Sequence, residues 1–228
     1  MRKLALVAFD ATQLEEYERL VRAELRTLGG PEASEKATIR ARLVPGAPAL
    51  LESGDYDCLV QACAAALEEL AEAGCDVAAL CGADAHAVAI KLDKCSSIPL
   101  VSMPRAARSA AVALNSKRPI LLGTPSTMRE VFFKGWLVGA GMQVLTPAAE
   151  DAAWLGRAIT GELRDGIVRE ASLARFKAFM EDGCEHGADA IIVAAPELLL
   201  WTGRLELPAP VLDARALHVR ALARAFCL

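Results

Sequence analysis

Apolar residues fall along this chain in two rhythms. Short unbroken runs, Leu4 to Phe9, Val77 to Cys81, Pro119 to Leu122 and Ala190 to Ala194, alternate with longer stretches whose apolar positions recur every three or four residues. The runs have the length of strands buried on both faces, and the longer stretches read as amphipathic helices. After the first run, Asp10-Ala11-Thr12 turns the chain into a helix with Leu14, Tyr17, Leu20, Val21 and Leu25 on one face, which Gly29-Gly30-Pro31 is expected to stop. Thr38 to Val44 is predicted as a strand and Pro45 to Pro48 as a loop. A helix from Asp57 to Ala73 turns Leu59, Cys63, Leu67 and Leu70 inward and ends at Gly74; the strand Val77 to Cys81, a helix from near Asp84 to Lys94 and a short strand Leu100 to Ser102 follow. The plan then returns. Pro119 to Leu122 is a strand, Gly123 to Thr127 a turn, Met128 to Gly139 a helix and Met142 to Leu145 a strand. Trp154 to Glu185 holds one or two helices broken near Gly166, before the strand Ala190 to Ala194, a helix from Pro196, the strand Val211-Leu212 and a closing helix from Arg215 to Phe226.

The return is also visible residue by residue. Gly74-Cys75-Asp76 before one strand and Gly187-Ala188-Asp189 before another lie 113 residues apart (187 − 74 = 113), and the same offset carries Asp10 onto Gly123. Two strand pairs in one register point to an internal duplication. The fold class follows: α/β, with two similar flavodoxin-like lobes, parallel sheets and a ligand cleft between the lobes, lined by the carboxyl ends of the strands. The first lobe is expected to hold residues 1–113 with 212–228, and the second 114–211.

Bulk properties narrow the partners. The 228 residues are 54% hydrophobic, yet every apolar run is broken by charge or glycine before it could cross a bilayer, so no membrane association is expected. The net charge is −4 and the 25 basic residues are scattered, leaving no electrostatic footprint for nucleic acid and favouring a small-molecule partner. Seven cysteines form no CxxC pair and no Cys/His metal spacing, and the opening residues lack a signal-peptide pattern. A cytoplasmic location with free, mostly buried thiols and no metal site is the expectation.

At its two repeated strands and at Leu122-Gly123-Thr124-Pro125-Ser126-Thr127-Met128, the chain resembles the aspartate/glutamate racemase superfamily over nearly its whole length. Gly74, Asp76 and His86 match the family's first motif, Leu122 to Met128 the turn that opens its second lobe, Gly187 to Asp189 with Glu197 its third motif, and Asp213 with His218 its fourth. Phe9-Asp10-Ala11 resembles the Phe-Asp-Ser opening of glutamate racemases, whose aspartate assists proton transfer. The resemblance implies a homodimer that binds a small carboxylate and exchanges its α-proton between two cysteines, without a cofactor. The departures fall on that chemistry: the first motif cysteine falls on Gly82, with Ala83 and Asp84 after it, and the second falls on Ala195, with Pro196 after it. Neither glycine nor alanine can take a proton, so the two-thiol mechanism is not available to this sequence.

Other residues become the candidates. Cys81 lies one position before the expected thiol, but a shift of one within a strand turns the side chain to the opposite face, which reads as a buried structural cysteine. Asp84 and Glu197 share a repeat position and form a candidate carboxylate pair for acid/base work, or alternatively two residues of first helical turns. His86 is the candidate neutral-pH base of the first lobe, and His218, with Asp213 as a possible orienting partner, a candidate binding residue. Asp10 completes the catalytic candidates. Thr12, Gly82, Ala83, Gly123, Thr124, Thr127, Ala195 and Pro196 are the candidate substrate-binding positions, the threonines through hydroxyls and helix-start amides. Three functions fit: a racemase-like protein exchanging an α-proton through these groups, a ligand-binding relative that lost the chemistry, and a one-base decarboxylase or lyase. Family decarboxylases carry glycine at the first position, as Gly82 does, but keep the second cysteine, where this chain has Ala195.

Overall fold

The computed structural model describes residues 3–227. The chain divides into two compact units, one made of the residues up to Met103 together with those from His218 on, the other of Pro104–Leu217. The helix after the first sheet thus counts almost wholly with the second unit.

The first unit runs β1 (Lys3–Ala8), α1 (Ala11–Lys36), β2 (Thr38–Leu43), α2 (Ala47–Ser53), α3 (Tyr56–Glu72), β3 (Val77–Leu80), α4 (Ala89–Cys95) and β4 (Leu100–Val101). Its sheet is parallel throughout, in the order β2-β1-β3-β4. The crossover helices let β3, and β1 from Leu4 onward, be fully buried, as their unbroken apolar runs require. Val7, Leu59, Leu67, Leu70, Leu80 and Leu92 form the centre of this core.

The second unit takes up α5 (Met103–Ala113), β5 (Pro119–Leu122), α6 (Pro125–Arg129), α7 (Val131–Val138), α8 (Ala149–Ala158), α9 (Glu170–Glu185), β6 (Ala190–Val193), α10 (Leu199–Thr202), β7 (Val211–Asp213) and the start of α11 (Ala214–Cys227). Its sheet, β5-β6-β7, is also parallel. Trp201 is fully buried, stacked on Trp154 with ring centroids 5.5 Å apart, and Arg175 covers the outer face of Trp154.

Four local readings need correction or extension. The helix that begins at Ala11 does break at Gly29-Gly30-Pro31, where Gly30 is non-helical (φ 77°), but a further helical stretch that the pattern did not announce runs on to Lys36, with Pro31 in its first turn, where its missing N–H costs nothing. Pro48 lies in the first turn of α2 instead of a loop. The expected strand at Met142 to Leu145 contributes only an isolated bridge, Ile120 to Leu145, because Pro147 has no N–H with which to extend it. Finally, the repeat carries two offsets. Val7 pairs with Leu80 and Leu122 with Val193, so 113 residues relate β3 to β6, but 115 relate β1 to β5 (122 − 7 = 115). Asp10 therefore corresponds to Pro125, not Gly123.

The repeated Gly-x-Asp proves to be structural. Gly74 and Gly187 take φ of 79° and 89°, and their N–H groups close the preceding helices on Ala71 and Cys184. The aspartates then reach to the start of the neighbouring strand: Asp76 accepts from the Lys3 N–H at 2.6 Å, and Asp189 from Lys117 N–H at 2.6 Å, Arg118 N–H and the Ser116 hydroxyl. Desolvation raises the Asp189 pKa, but these donors outweigh it and hold the group below the ordinary carboxylate value. We expect Asp189→Ala to cost about 1–2 kcal/mol by urea unfolding, and Asp76→Ala, with one such bond lost, less.

Candidate functional site

In a parallel sheet the carboxyl ends of the strands face the loops that bind ligands, and the sequence-predicted residues gather there in each unit. In the first unit Asp10 leaves β1 as the N-cap of α1, its Oδ1 accepting from the Gln13 N–H at 2.7 Å. Asp10 and Thr12 are exposed. Gly82 leaves β3 with φ 87°, and Ala83, Asp84 and His86 follow on a turn of 3-10 helix spanning Asp84–Val88, with Asp84 half-buried. Cys81 is fully buried, and burial, with a smaller contribution from the Asp10 charge, pushes its thiol up. Such a group holds its proton and is no nucleophile.

Two histidines and a tyrosine fix the peptide at Gly82. The Tyr17 hydroxyl accepts from the Gly82 N–H at 3.3 Å and bonds His218 Nδ1 at 3.1 Å. On the other side, His86 Nδ1 bonds the Gly82 carbonyl at 2.9 Å, and His86 Nε2 accepts from the Met103 N–H at 3.0 Å. His218 Nε2 reaches the Val101 carbonyl at 2.9 Å.

Carbonyls only accept and amides only donate, so the protons can be assigned. His86 is neutral with its proton on Nδ1; His218 is neutral with its proton on Nε2, and Tyr17 donates to His218 Nδ1. The two rings meet edge to face, 5.3 Å apart, with 2% and 0% of their surfaces exposed. Burial holds His86 down to about 3, helped by the neighbouring His218 and opposed by bonds to Gly82 and Ala83. Burial likewise holds His218 down to about 4 against its bond to Val101.

His86, the candidate base of the first lobe, is therefore a ring with both nitrogens occupied. Asp213 does not orient His218; its Oδ1 caps α11 by accepting from the N–H groups of Arg215 and Ala216 at 2.9 and 3.0 Å.

In the second unit, Gly123 leaves β5 at a tight place, where an added Cβ would stand 3.0 Å from Thr127 Cγ2 and 3.3 Å from Ala194 Cβ, so that these neighbours would have to shift by a few tenths of an ångström. Thr124 is the N-cap of α6, accepting from the Thr127 N–H at 3.2 Å, and Thr127 is fully buried. Ala195, at the end of β6, is 5% exposed and packs in the core, while Pro196 and Glu197 are half-buried on a short 3-10 turn. A π-helical turn over Ile159–Leu163 packs against that turn, with Glu162 paired to Arg169 at 3.3 Å. Among the described residues no group of three or more His, Cys, Asp or Glu side chains is placed to hold a metal ion, and no helix is long and apolar enough to cross a membrane.

Sequence reasoning passed over two residues. Tyr17 was visible only as an apolar-face position of α1, since periodicity is blind to a hydroxyl. Gln13 carries no motif, yet its side chain lies directly over Gly82.

Residues 4–222 match the family model described as Asp/Glu/hydantoin racemase. A candidate Asp/Glu racemase from Yersinia pestis superposes with TM-score 0.92 at 26% identity, covering 100% of both chains. An aspartate racemase homologue from Pyrococcus horikoshii gives TM-score 0.80 at 21% identity, again over 100% of both chains. Glutamate racemase from Francisella tularensis, solved in complex with D-glutamate, gives 0.65 at 10% identity over 98% of this chain and 80% of that one. The last two likenesses concern the fold alone.

Proposed function

Because the chain belongs to the Asp/Glu/hydantoin racemase family, we propose that it binds a small carboxylic or amino acid at the carboxyl ends of its strands and does so without the two-thiol proton exchange. The observation that carries this reading is the state of Gly82. The residue at the first motif cysteine has no side chain, and its peptide is held on both sides by Tyr17 and His86. Its counterpart Ala195 is a core residue. The thiol Cys81 and the ring of His86 are both buried in their neutral forms. An ordered, polar strand end without a base at the two motif positions fits binding better than racemisation.

One observation keeps a catalytic reading alive. Asp84 and Glu197 occupy equivalent places after β3 and β6, each half-buried in the first turn of a 3-10 helix. In that reading one carboxylate removes the α-proton, or a single acid returns a proton after decarboxylation, and Asp10 assists. The test is a panel of L- and D-aspartate, L- and D-glutamate and related small acids, followed by calorimetry for binding and by NMR in D2O for exchange at the α-carbon. Binding without exchange is the expected result. Exchange that survives in His86→Gln but disappears in Asp84→Ala or Glu197→Ala would replace the binder reading with the carboxylate one. No binding by any acid would defeat both.

A further inference from the structure

A side chain at position 82 would have to share its space with Gln13. A Cβ built on Gly82 runs into the Gln13 Nε2 and stands 2.9 Å from its Cδ, so the carboxamide occupies the volume in which a side chain at the first motif position would begin. Gln13 reaches there because Asp10 caps α1 and fixes the first turn, with Gln13 three residues into it. The side chain is half-buried, and its neighbours Asp10 and Thr12 are exposed, so this edge is open to solvent. The Gln13 backbone N–H is satisfied by Asp10, whereas the carboxamide has no hydrogen-bond partner among the described residues. With no partner among the described residues and an edge open to solvent, the carboxamide is free to exchange water for a hydrogen bond to a ligand.

We propose that the Gln13 carboxamide is a ligand-contacting group of this site, donating a hydrogen bond to a carboxylate oxygen of the bound acid from the place where the family's first thiol would stand. This rests on the small-acid reading above and deepens it. The neutral amide donates to an oxyanion and takes no proton, which matches a site that binds an acid without abstracting its α-proton. Asp10 cannot take this part: it carries a negative charge and is engaged by the start of α1. Gln13 thereby becomes a specificity residue, selecting for an acceptor oxygen at that point.

The test measures the dissociation constant of the small acids by calorimetry for the parent protein and for Gln13→Ala, Gln13→Asn and Gln13→Glu, with melting temperatures of the unliganded proteins recorded alongside. Because the carboxamide has no protein partner, all three unliganded variants are expected to melt close to the parent. An acid that binds the parent should bind Gln13→Ala at least about ten-fold more weakly, the usual loss for a hydrogen bond to a charged group, and should fail to bind Gln13→Glu, whose carboxylate repels it. Equal affinities for the parent and Gln13→Ala would overturn the inference while leaving the small-acid reading intact. An absence of binding to the parent would overturn that reading and the inference with it. Should Gln13→Ala prove unstable, Gln13→Asn decides the matter, since it keeps the amide but withdraws it by one methylene, and unchanged affinity there counts against the proposal.

Discussion

The unfolding free energy should fall steeply on mild acidification, by about 4 kcal/mol between roughly pH 8 and pH 5, because two buried histidines must stay neutral in the folded protein. His86 is held down to about 3 and His218 to about 4, each primarily by burial. The unfolded chain returns both to the ordinary value near 6.5. Below that value the unfolded state binds protons that the folded state refuses, so stability is complete above about pH 7 and declines as pH falls towards the folded values. Each histidine contributes up to about 1.4 kcal/mol per pH unit within that window. Carboxylates add their own loss only at lower pH, since the folded pKa values of Asp55 and Asp189 lie below the ordinary one. Urea unfolding at a series of pH values measures the slope directly. A His218→Gln variant should be less stable at pH 8 and show roughly half the acid slope. A stability that stays flat from pH 8 to pH 5 would mean that the rings are not buried neutral, and the proton assignment at Gly82 would fail with it.

Restoring the missing thiols should not restore racemisation. Gly82→Cys places a side chain on a residue with φ 87°, a strain of about 1–3 kcal/mol for a residue with a Cβ. The backbone has little room to relax, since the Gly82 N–H is bonded to Tyr17 at 3.3 Å and its carbonyl to His86 at 2.9 Å. The new Cβ also meets the Gln13 carboxamide, which must leave its place. At the second position, Ala195→Cys adds a sulfur to a residue that is 5% exposed and packed in a core, where overpacking costs about 1–3 kcal/mol. The double variant is expected to melt at least about 5 °C below the parent and to show no deuterium exchange at the α-carbon of aspartate or glutamate above the blank. Gly82→Ala separates backbone strain from the size of sulfur. Exchange by the double variant, at parental stability, would show that the strand end accommodates a thiol and that its loss was the only step away from the family chemistry.

The fold was largely legible because its signals are local. Unbroken apolar runs such as Leu4 to Phe9 and Ala190 to Ala194 can only be strands covered on both faces, and Gly74 and Gly187 announce helix ends that need a left-handed residue. The helix at Pro31 and the lone bridge at Leu145 were missed because tertiary context, not propensity, decides whether a chain resumes a helix after a kink or joins a sheet edge.

The site was legible as a set of positions and not as a set of roles. Motif matching found Gly82, His86 and His218, but what His86 does depends on a Met103 amide and a Gly82 carbonyl, and what His218 does depends on Tyr17, 201 residues away in the chain. Sequence distance carries no information about such partners. Gln13 escaped for a related reason: only the conformation of Gly82 brings the strand end beneath it.

The order of the chain bears on how the protein is made. His218 belongs with the first unit, yet it is synthesised after the whole of the second, 117 residues later than the Val101 carbonyl to which it bonds. At usual translation rates of about 5–20 residues per second, the first sheet waits on the order of ten seconds on the ribosome before that ring is available. During this interval the Tyr17 hydroxyl and the Val101 carbonyl lack their bonds to His218, although Tyr17 and His86 already reach the Gly82 peptide. The carboxyl edge of the first sheet is thus completed late in synthesis, when α11 is made.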